Sequence, residues 1–202
     1  MAESSVDIIS ILEAIAVVCG LAFVILIIYE KPIGWLFGIV QSVLSVVVFY
    51  SGGLISESYL YGLYAVLGVW GWITWGKRPK DVPLRITNWG MRSWAIAMVL
   101  GVLCSLSLGW LQDNFNQLAQ RPYIDAFTTI FAVIATVLEI RKKLPAFVLW
   151  IVVNAVSIPL YFDREFLLYS SLMVVYLGFS IAGYVRWRRV FVAGEREALE
   201  AG

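Results

Sequence analysis

The sequence predicts an all-α membrane protein: seven transmembrane helices arranged as two parallel three-helix repeats joined by a linker helix. Composition is the first reason. Of 202 residues, 61% are hydrophobic and 14% charged, with a mean hydropathy of +0.84. A soluble domain carries roughly 45–50% apolar and about 25% charged residues. Charge placement is the second reason. No Asp, Glu, Lys or Arg lies between Lys31 and Glu57, Glu57 and Lys77, Arg92 and Asp113, Asp125 and Glu139, Lys143 and Asp163, or Glu165 and Arg186. A helix needs about 20 mostly apolar residues to cross the hydrocarbon. The third reason is an internal repeat, set out below.

The spans fall near residues 7–28, 32–51, 56–76, 92–112, 122–140, 144–162 and 165–187. A β-barrel would need alternating polar and apolar residues, and runs such as Ala22-Phe23-Val24-Ile25-Leu26 do not alternate. The N-terminal segment carries Glu3 and Asp7 and lacks the basic start of a cleavable signal, so its apolar run stays as a helix. Pro32, Pro122 and Pro145 stand in first turns, where a missing N–H does no harm. Gly34 and Gly38, four apart, open the second span and suit close helix packing. Pro159 falls late in the sixth span and either kinks it or is absorbed by neighbours. Cys19 and Cys104 lie inside apolar spans and read as buried free thiols.

Sliding the chain on itself gives a gapless match at an offset of 112 residues. Glu13-Ala14 pairs with Asp125-Ala126, Lys31 with Lys143, Ser45 with Ser157 and Tyr64 with Tyr176. Gly71, Trp75 and Lys77 pair with Gly183, Trp187 and Arg189. An odd linker helix restores the second triplet to the orientation of the first, which makes the repeat parallel. The divisions expected are a first three-helix bundle over 1–78, a basic loop and linker helix over 79–119, a second bundle over 120–189 and a tail over 190–202. The tail, with Glu195-Arg196-Glu197, reads as a polar, frayed helix end.

Lys and Arg mark cytoplasmic loops. They gather after the third span (Lys77, Arg78, Lys80, Arg85, Arg92), after the fifth (Arg141, Lys142, Lys143) and after the seventh (Arg186, Arg188, Arg189). These segments share one side, so the N-terminus is expected outside and the C-terminus in the cytoplasm. A net charge of +1 gives no electrostatic case for nucleic acid. The chain has no histidine, phosphate-binding Gly-rich loop, nucleophile elbow or metal-spaced cluster, so it offers neither the usual parts of an enzyme nor a site for a cofactor or metal.

Trp150, Asn154, Ser157 and Tyr161 recur at steps of four, three and four, which places them on one helix face. A polar stripe on an apolar span turns toward the bundle. Trp offers a flat face to an aromatic or cationic ring, and Asn offers donors and an acceptor. The alternative is that Asn154 joins helices. Gln41 and Ser42 occupy the matching part of span two, as a polar wall or as interhelical bonds. Tyr64, Gly68 and Trp72 share a face of span three, with Gly68 leaving a gap for a ligand ring or another helix. Trp75 and Trp187 read as interfacial belt residues. Asp125 holds a proton or a cationic substrate, or complements the helix dipole; Glu13 has the same choice. Thr128 lines the path or bonds its own backbone. Tyr176, the partner of Tyr64, reaches the site or packs the core.

In this arrangement the chain resembles the PnuC family of vitamin-precursor transporters, itself similar in architecture to full-length SWEET proteins. The resemblance runs over roughly residues 10–189. It rests on Glu13-Ala14, Glu30-Lys31, Trp35-Leu36-Phe37-Gly38, Trp70-Gly71-Trp72-Ile73-Thr74-Trp75, Asp125-Ala126 with Thr128, and Trp150-Ile151-Val152-Val153-Asn154 followed by Tyr161. Two positions depart: Phe147 stands where nicotinamide riboside carriers tend to have a first Trp, and Gly68 where they tend to have a polar residue. The resemblance implies facilitated uptake of an unphosphorylated vitamin precursor across a bacterial inner membrane by alternating access. Nicotinamide riboside is the first expectation, thiamine and then riboflavin the alternatives, and a non-transporting scaffold the rival class. It further implies a homo-oligomer such as a trimer, and a separate cytosolic kinase that traps the product. Coupling is decided by uptake: a proton-coupled carrier loses it with Asp125→Asn or when the gradient is dissipated, whereas a uniporter equilibrates its substrate in either case.

Overall fold

A computed structural model describes residues 2–51, 55–76, 85–115, 121–163 and 167–200. Among the described residues seven helices follow one another: α1 (Ala2–Ile28), α2 (Gly34–Ser51), α3 (Ile55–Gly76), α4 (Met91–Phe115), α5 (Pro122–Ile140), α6 (Pro145–Asp163) and α7 (Leu167–Glu200). Five of them, α1 from Ile8, α2, α4, α5 and α6, are long and apolar enough by length and composition to cross a membrane. The other two, α3 and α7, have 22 and 34 residues. At about 1.5 Å per residue both are long enough, and in α3 Tyr, Trp, Ser and Gly dilute the apolar content. Each packs along a qualifying neighbour, α3 on α2 and α7 on α6. Rather than fraying after Arg189, α7 continues to Glu200. Lys77, Arg78 and Lys80 lie outside the described residues.

The chain divides into two compact units after Leu84. In the first, α2 packs against both α1 and α3; in the second, α4 to α7 pack in chain order. The linker helix α4 therefore goes with the second unit. Its buried residues are Gly101, Ser105 and Gly109, a small-residue stripe at steps of four. Side chains at Gly101 and Gly109 would meet Phe131 and Tyr123 of α5. Small residues let α4 and α5 approach closely where lipid provides no hydrophobic drive. The remaining α4 surface, including Val99, Leu103 and Leu106, is exposed and apolar. Cys104 lies on that exposed surface and Cys19 is half-buried; both are free thiols. The expectation that both are buried is corrected for Cys104, which the i+4 stripe turns away from α5.

The 112-residue repeat reappears in backbone and side-chain detail. Among the described residues, the non-glycine residues with positive φ are Glu30 (58°) and Lys142 (48°), 112 apart. Each ends a helix the same way. Glu30 N–H donates to Ile27 O at 2.9 Å and Lys31 N–H to Leu26 O at 2.9 Å. Lys142 N–H donates to Glu139 O at 2.9 Å and Lys143 N–H to Leu138 O at 2.8 Å. These are Schellman turns, in which a left-handed residue satisfies the last carbonyls of the helix. Ser58 Oγ donates to Val46 O at 3.1 Å, and its equivalent Ser170 Oγ to Ile158 O at 3.0 Å.

Glycine–aromatic interlocks also repeat. Trp35 fills the notch at Gly71 and meets Trp75 edge-on at 5.5 Å. Phe147 fills the notch at Gly183 and meets Trp187 edge-on at 4.9 Å. Trp187 is 0% exposed and Trp75 is buried, so both are core residues and not the interfacial belt their position suggests. The glycine one turn earlier admits a partner aromatic from the neighbouring helix, and the indole closes over it. Gly34 and Gly38 likewise abut Leu26 and Phe23 of α1.

Before α4, Thr87 forms a parallel bridge with Lys143. Thr87 N–H donates to Lys142 O at 3.1 Å, Leu144 N–H to Thr87 O at 2.9 Å, and Lys143 Nζ to Thr87 Oγ1 at 2.8 Å. The basic α5–α6 turn and the segment leading into α4 thus lie at one end of this unit. Arg121 and Asp163 form a half-exposed ion pair at 2.6 Å between the start of α5 and the end of α6, at the other end.

The interlock makes a contrast testable. A methyl group at Gly183 would overlap the Phe147 ring, whereas one at Gly62 meets nothing within 4 Å. Gly183→Ala is expected to lose about 1–3 kcal/mol through overpacking, read as a lowered unfolding midpoint in detergent. Gly62→Ala should leave the midpoint unchanged or raise it slightly.

Candidate functional site

α6 carries the polar face the spacing predicts. Asn154 and Ser157 are buried, at 5% exposure each, and Trp150 and Tyr161 are half-buried on the same side. Pro159 lies within a helix that runs through to Asp163. Asn154 Nδ2 donates to Ser180 Oγ of α7 at 3.0 Å, and Ser180 Oγ donates to Tyr176 O at 2.8 Å. Asn154 therefore does join helices, through one of its two amide N–H groups. Tyr176, half-buried, belongs to the α7 turn that receives this chain of bonds. Tyr161 lies against Tyr169, with ring centroids 5.8 Å apart.

Trp150 is held by a residue that the sequence reading does not single out. Its indole donates a hydrogen bond to the carboxylate of Glu139 on α5. Glu139 is 4% exposed, and its Oε2 is buried without a hydrogen-bond partner. In the sequence Glu139 stands beside Arg141-Lys142-Lys143, the pattern of a solvated helix end. In the fold it is buried, with α6 packed against α5. Ser180 was legible: it sits four residues after Tyr176 on an apolar helix, the spacing of one face.

Asp125 and Thr128 occupy the opposite end of α5. Asp125 is half-buried in the first turn, where a carboxylate complements the helix dipole. Thr128 Oγ1 donates to its own helix, at 3.1 Å to Ile124 O and 3.0 Å to Asp125 O. Its hydroxyl hydrogen is thus given to the backbone.

The first unit holds the remaining candidates. Ser42 is buried and donates to Gly38 O of its own helix at 2.8 Å. Gln41 is half-buried beside it. Tyr64 meets Tyr61 edge-on at 5.8 Å, and Tyr61 stacks on Phe49 at 5.1 Å. The gap at Gly68 is filled by Ile39 of α2, and Trp72 is 44% exposed. Within each unit, then, the structure brings Trp150, Asn154, Ser157 and Tyr161 to one face beside Tyr176, and places Gln41 and Ser42 on α2 with Tyr64 and Trp72 on α3. It sets Asp125 and Thr128 in the opening turns of α5. The two departures noted in the sequence have packing explanations: Phe147 fills Gly183's notch, and Gly68 admits Ile39.

A family model described as nicotinamide mononucleotide transporter matches residues 10–189. A nicotinamide riboside transporter PnuC of Neisseria mucosa is 27% identical over 193 residues, covering 89% of this chain and 72% of that protein. The nicotinamide riboside transporter PnuC of Escherichia coli K12 is 20% identical over 175 residues, covering 74% and 73%. Among solved structures, the crystal structure of the vitamin B3 transporter PnuC superposes with a TM-score of 0.73 at 25% identity, over 91% of this chain and 83% of that one.

The Asn154–Ser180 bond is open to a double-mutant cycle. Asn154→Ala, Ser180→Ala and the pair, unfolded in bicelles, should give a coupling of about 0.6 kcal/mol, within the range of interhelical bonds in membranes. A coupling indistinguishable from zero would remove this bond from the account of how α6 and α7 are held.

Proposed function

The chain belongs to the nicotinamide mononucleotide transporter family, and from that premise we propose that its cargo is the unphosphorylated nicotinamide riboside. The family makes it a multi-pass membrane transporter and not an enzyme. The choice of riboside over mononucleotide is carried by one observation: the face of α6 that joins an indole to an amide lies on a helix without Lys or Arg. No Lys or Arg occurs in 34–51, 55–76, 93–115, 122–140, 145–163 or 167–185. A phosphate monoester brought into these segments would lack a charge-assisted partner. A pyridinium ring needs only an aromatic face and a polar edge. Trp150 supplies the face, Asn154 the amide, and Ser157 and Tyr161 further hydroxyls.

Transport by facilitated diffusion fits the same chemistry. Once a cytosolic kinase phosphorylates the riboside, the charge that the spans cannot accommodate keeps the product inside. Asp125 is then a dipole-complementing acid and not a proton carrier, and Thr128 a neighbour bonded to its own helix. Gln41, Ser42, Tyr64, Trp72 and Tyr176 remain proposed contributors from α2, α3 and α7. The basic ends of α5 and α7 face the cytoplasm by the positive-inside rule, which puts the N-terminus outside. Assembly as a homo-oligomer, a trimer by resemblance, belongs to the same proposal.

Calorimetry on purified protein tests the cargo. Nicotinamide riboside should bind, with thiamine and riboflavin weaker. The Trp150→Ala, Asn154→Ala double variant should lose at least about tenfold in affinity, the combined effect of a lost cation–π contact and a lost hydrogen bond. Failure of the native chain to bind the riboside would overturn the assignment. For orientation, green fluorescent protein fused after Gly202 should fluoresce, as a cytoplasmic terminus requires, and alkaline phosphatase there should be inactive.

A further inference from the structure

We infer that Glu139 fixes the orientation of Trp150 and, through the indole, gives the site its preference for a positively charged ring. This rests on the reading of Trp150 as the platform on which the ligand stacks. Trp150 stands in the second turn of α6, and its N–H is donated to the Glu139 carboxylate in the last turn of α5. Glu139 is 4% exposed, and its Oε2 has neither a hydrogen-bond partner nor contact with solvent. A buried carboxylate with one oxygen unsatisfied is unfavourable unless a positive charge comes near. A cationic ring resting on Trp150 brings one.

The bond acts on the ring as well as on its position. An indole that gives its N–H to a carboxyl oxygen is polarised, with electron density moving toward the π-face, the more so once a cation beside it favours the ionised acid, and that face attracts the cation. Packing alone does not call for an acid here. The repeat-equivalent of Glu139 is Ile27, 1% exposed in the first unit, and the equivalent of Trp150 is Gly38. The scaffold thus closes around isoleucine at this position. Acid and indole occur together in the second unit, where the amide of Asn154 lies one turn further along the same face.

The experiment compares nicotinamide riboside with its 1,4-dihydro form, which has the same outline and a neutral ring. Glu139→Gln keeps a hydrogen-bond acceptor and removes the group that can become charged. Native protein is expected to bind the cationic form about tenfold more tightly than the neutral one. Glu139→Gln should weaken the cationic form by about five- to tenfold and change the neutral form by less than about twofold, the scale of a desolvated cation–π contact. In a Trp150→Phe background, which lacks the N–H, Glu139→Gln should no longer alter the ratio. Should Glu139→Gln fail to elute as folded protein, Glu139→Ile, borrowing the first unit's residue, serves in its place. A ratio unchanged by either substitution, or equal weakening of both forms, would overturn the inference while leaving the riboside assignment standing. If native protein binds neither form, the assignment itself fails, and this inference with it.

Discussion

Everything in this molecule depends on helices touching closely without help from water. In lipid, apolar side chains gain little by leaving one apolar surroundings for another, so association rests on van der Waals fit. The chain achieves that fit with glycine notches and aromatic wedges. Trp35 enters the notch at Gly71, Phe147 the notch at Gly183, and Phe23 abuts Gly38. On the linker helix, Gly101 and Gly109 bring α4 against the aromatic rings of α5. These contacts set how close α2 lies to α3 and α6 to α7. The α6–α7 closeness determines whether Asn154 reaches Ser180.

The two units share a scaffold and differ in what it carries. Helix ends, serine bonds and interlocks recur at an offset of 112, down to the left-handed residues Glu30 and Lys142. Within that shared scaffold the side chains differ at many positions, four of which bear on the α6 face. Trp150, Asn154 and Ser180 stand where the first unit has Gly38, Ser42 and Gly68, and Glu139 where it has Ile27. In the first unit these sites are used up by packing: Gly38 on Phe23 and Gly68 on Ile39. At these positions the second unit carries an indole, an amide, a hydroxyl and an acid where the first has two glycines, a serine and an isoleucine.

Much of this was legible in the sequence because membrane helices write their boundaries in charge and proline. Pro122 and Pro145 open α5 and α6 as expected, and the α6 stripe at Trp150, Asn154, Ser157 and Tyr161 follows from 3.6-residue periodicity alone. What escaped depends on neighbours. Glu139 has the local setting of a solvated acid beside three basic residues and becomes buried only in the fold. Trp187 has the address of an interfacial tryptophan, yet the notch at Gly183 draws Phe147 beneath it. The small stripe of α4 carries no polarity signal, and its role appears only once Phe131 and Tyr123 are seen against it.

The last helix has a consequence of a different kind. α7 does not stop at the basic cluster around Arg189 but continues unbroken to Glu200. Eleven further residues at about 1.5 Å each carry the chain some 16 Å beyond that cluster. A chain of 202 residues is small for single-particle imaging and has little mass outside the bilayer to align on. A continuous helical post removes part of that difficulty. A rigid helical protein spliced in phase onto Glu200 would inherit the direction of α7, giving particle images a landmark that reports the pose of the embedded helices.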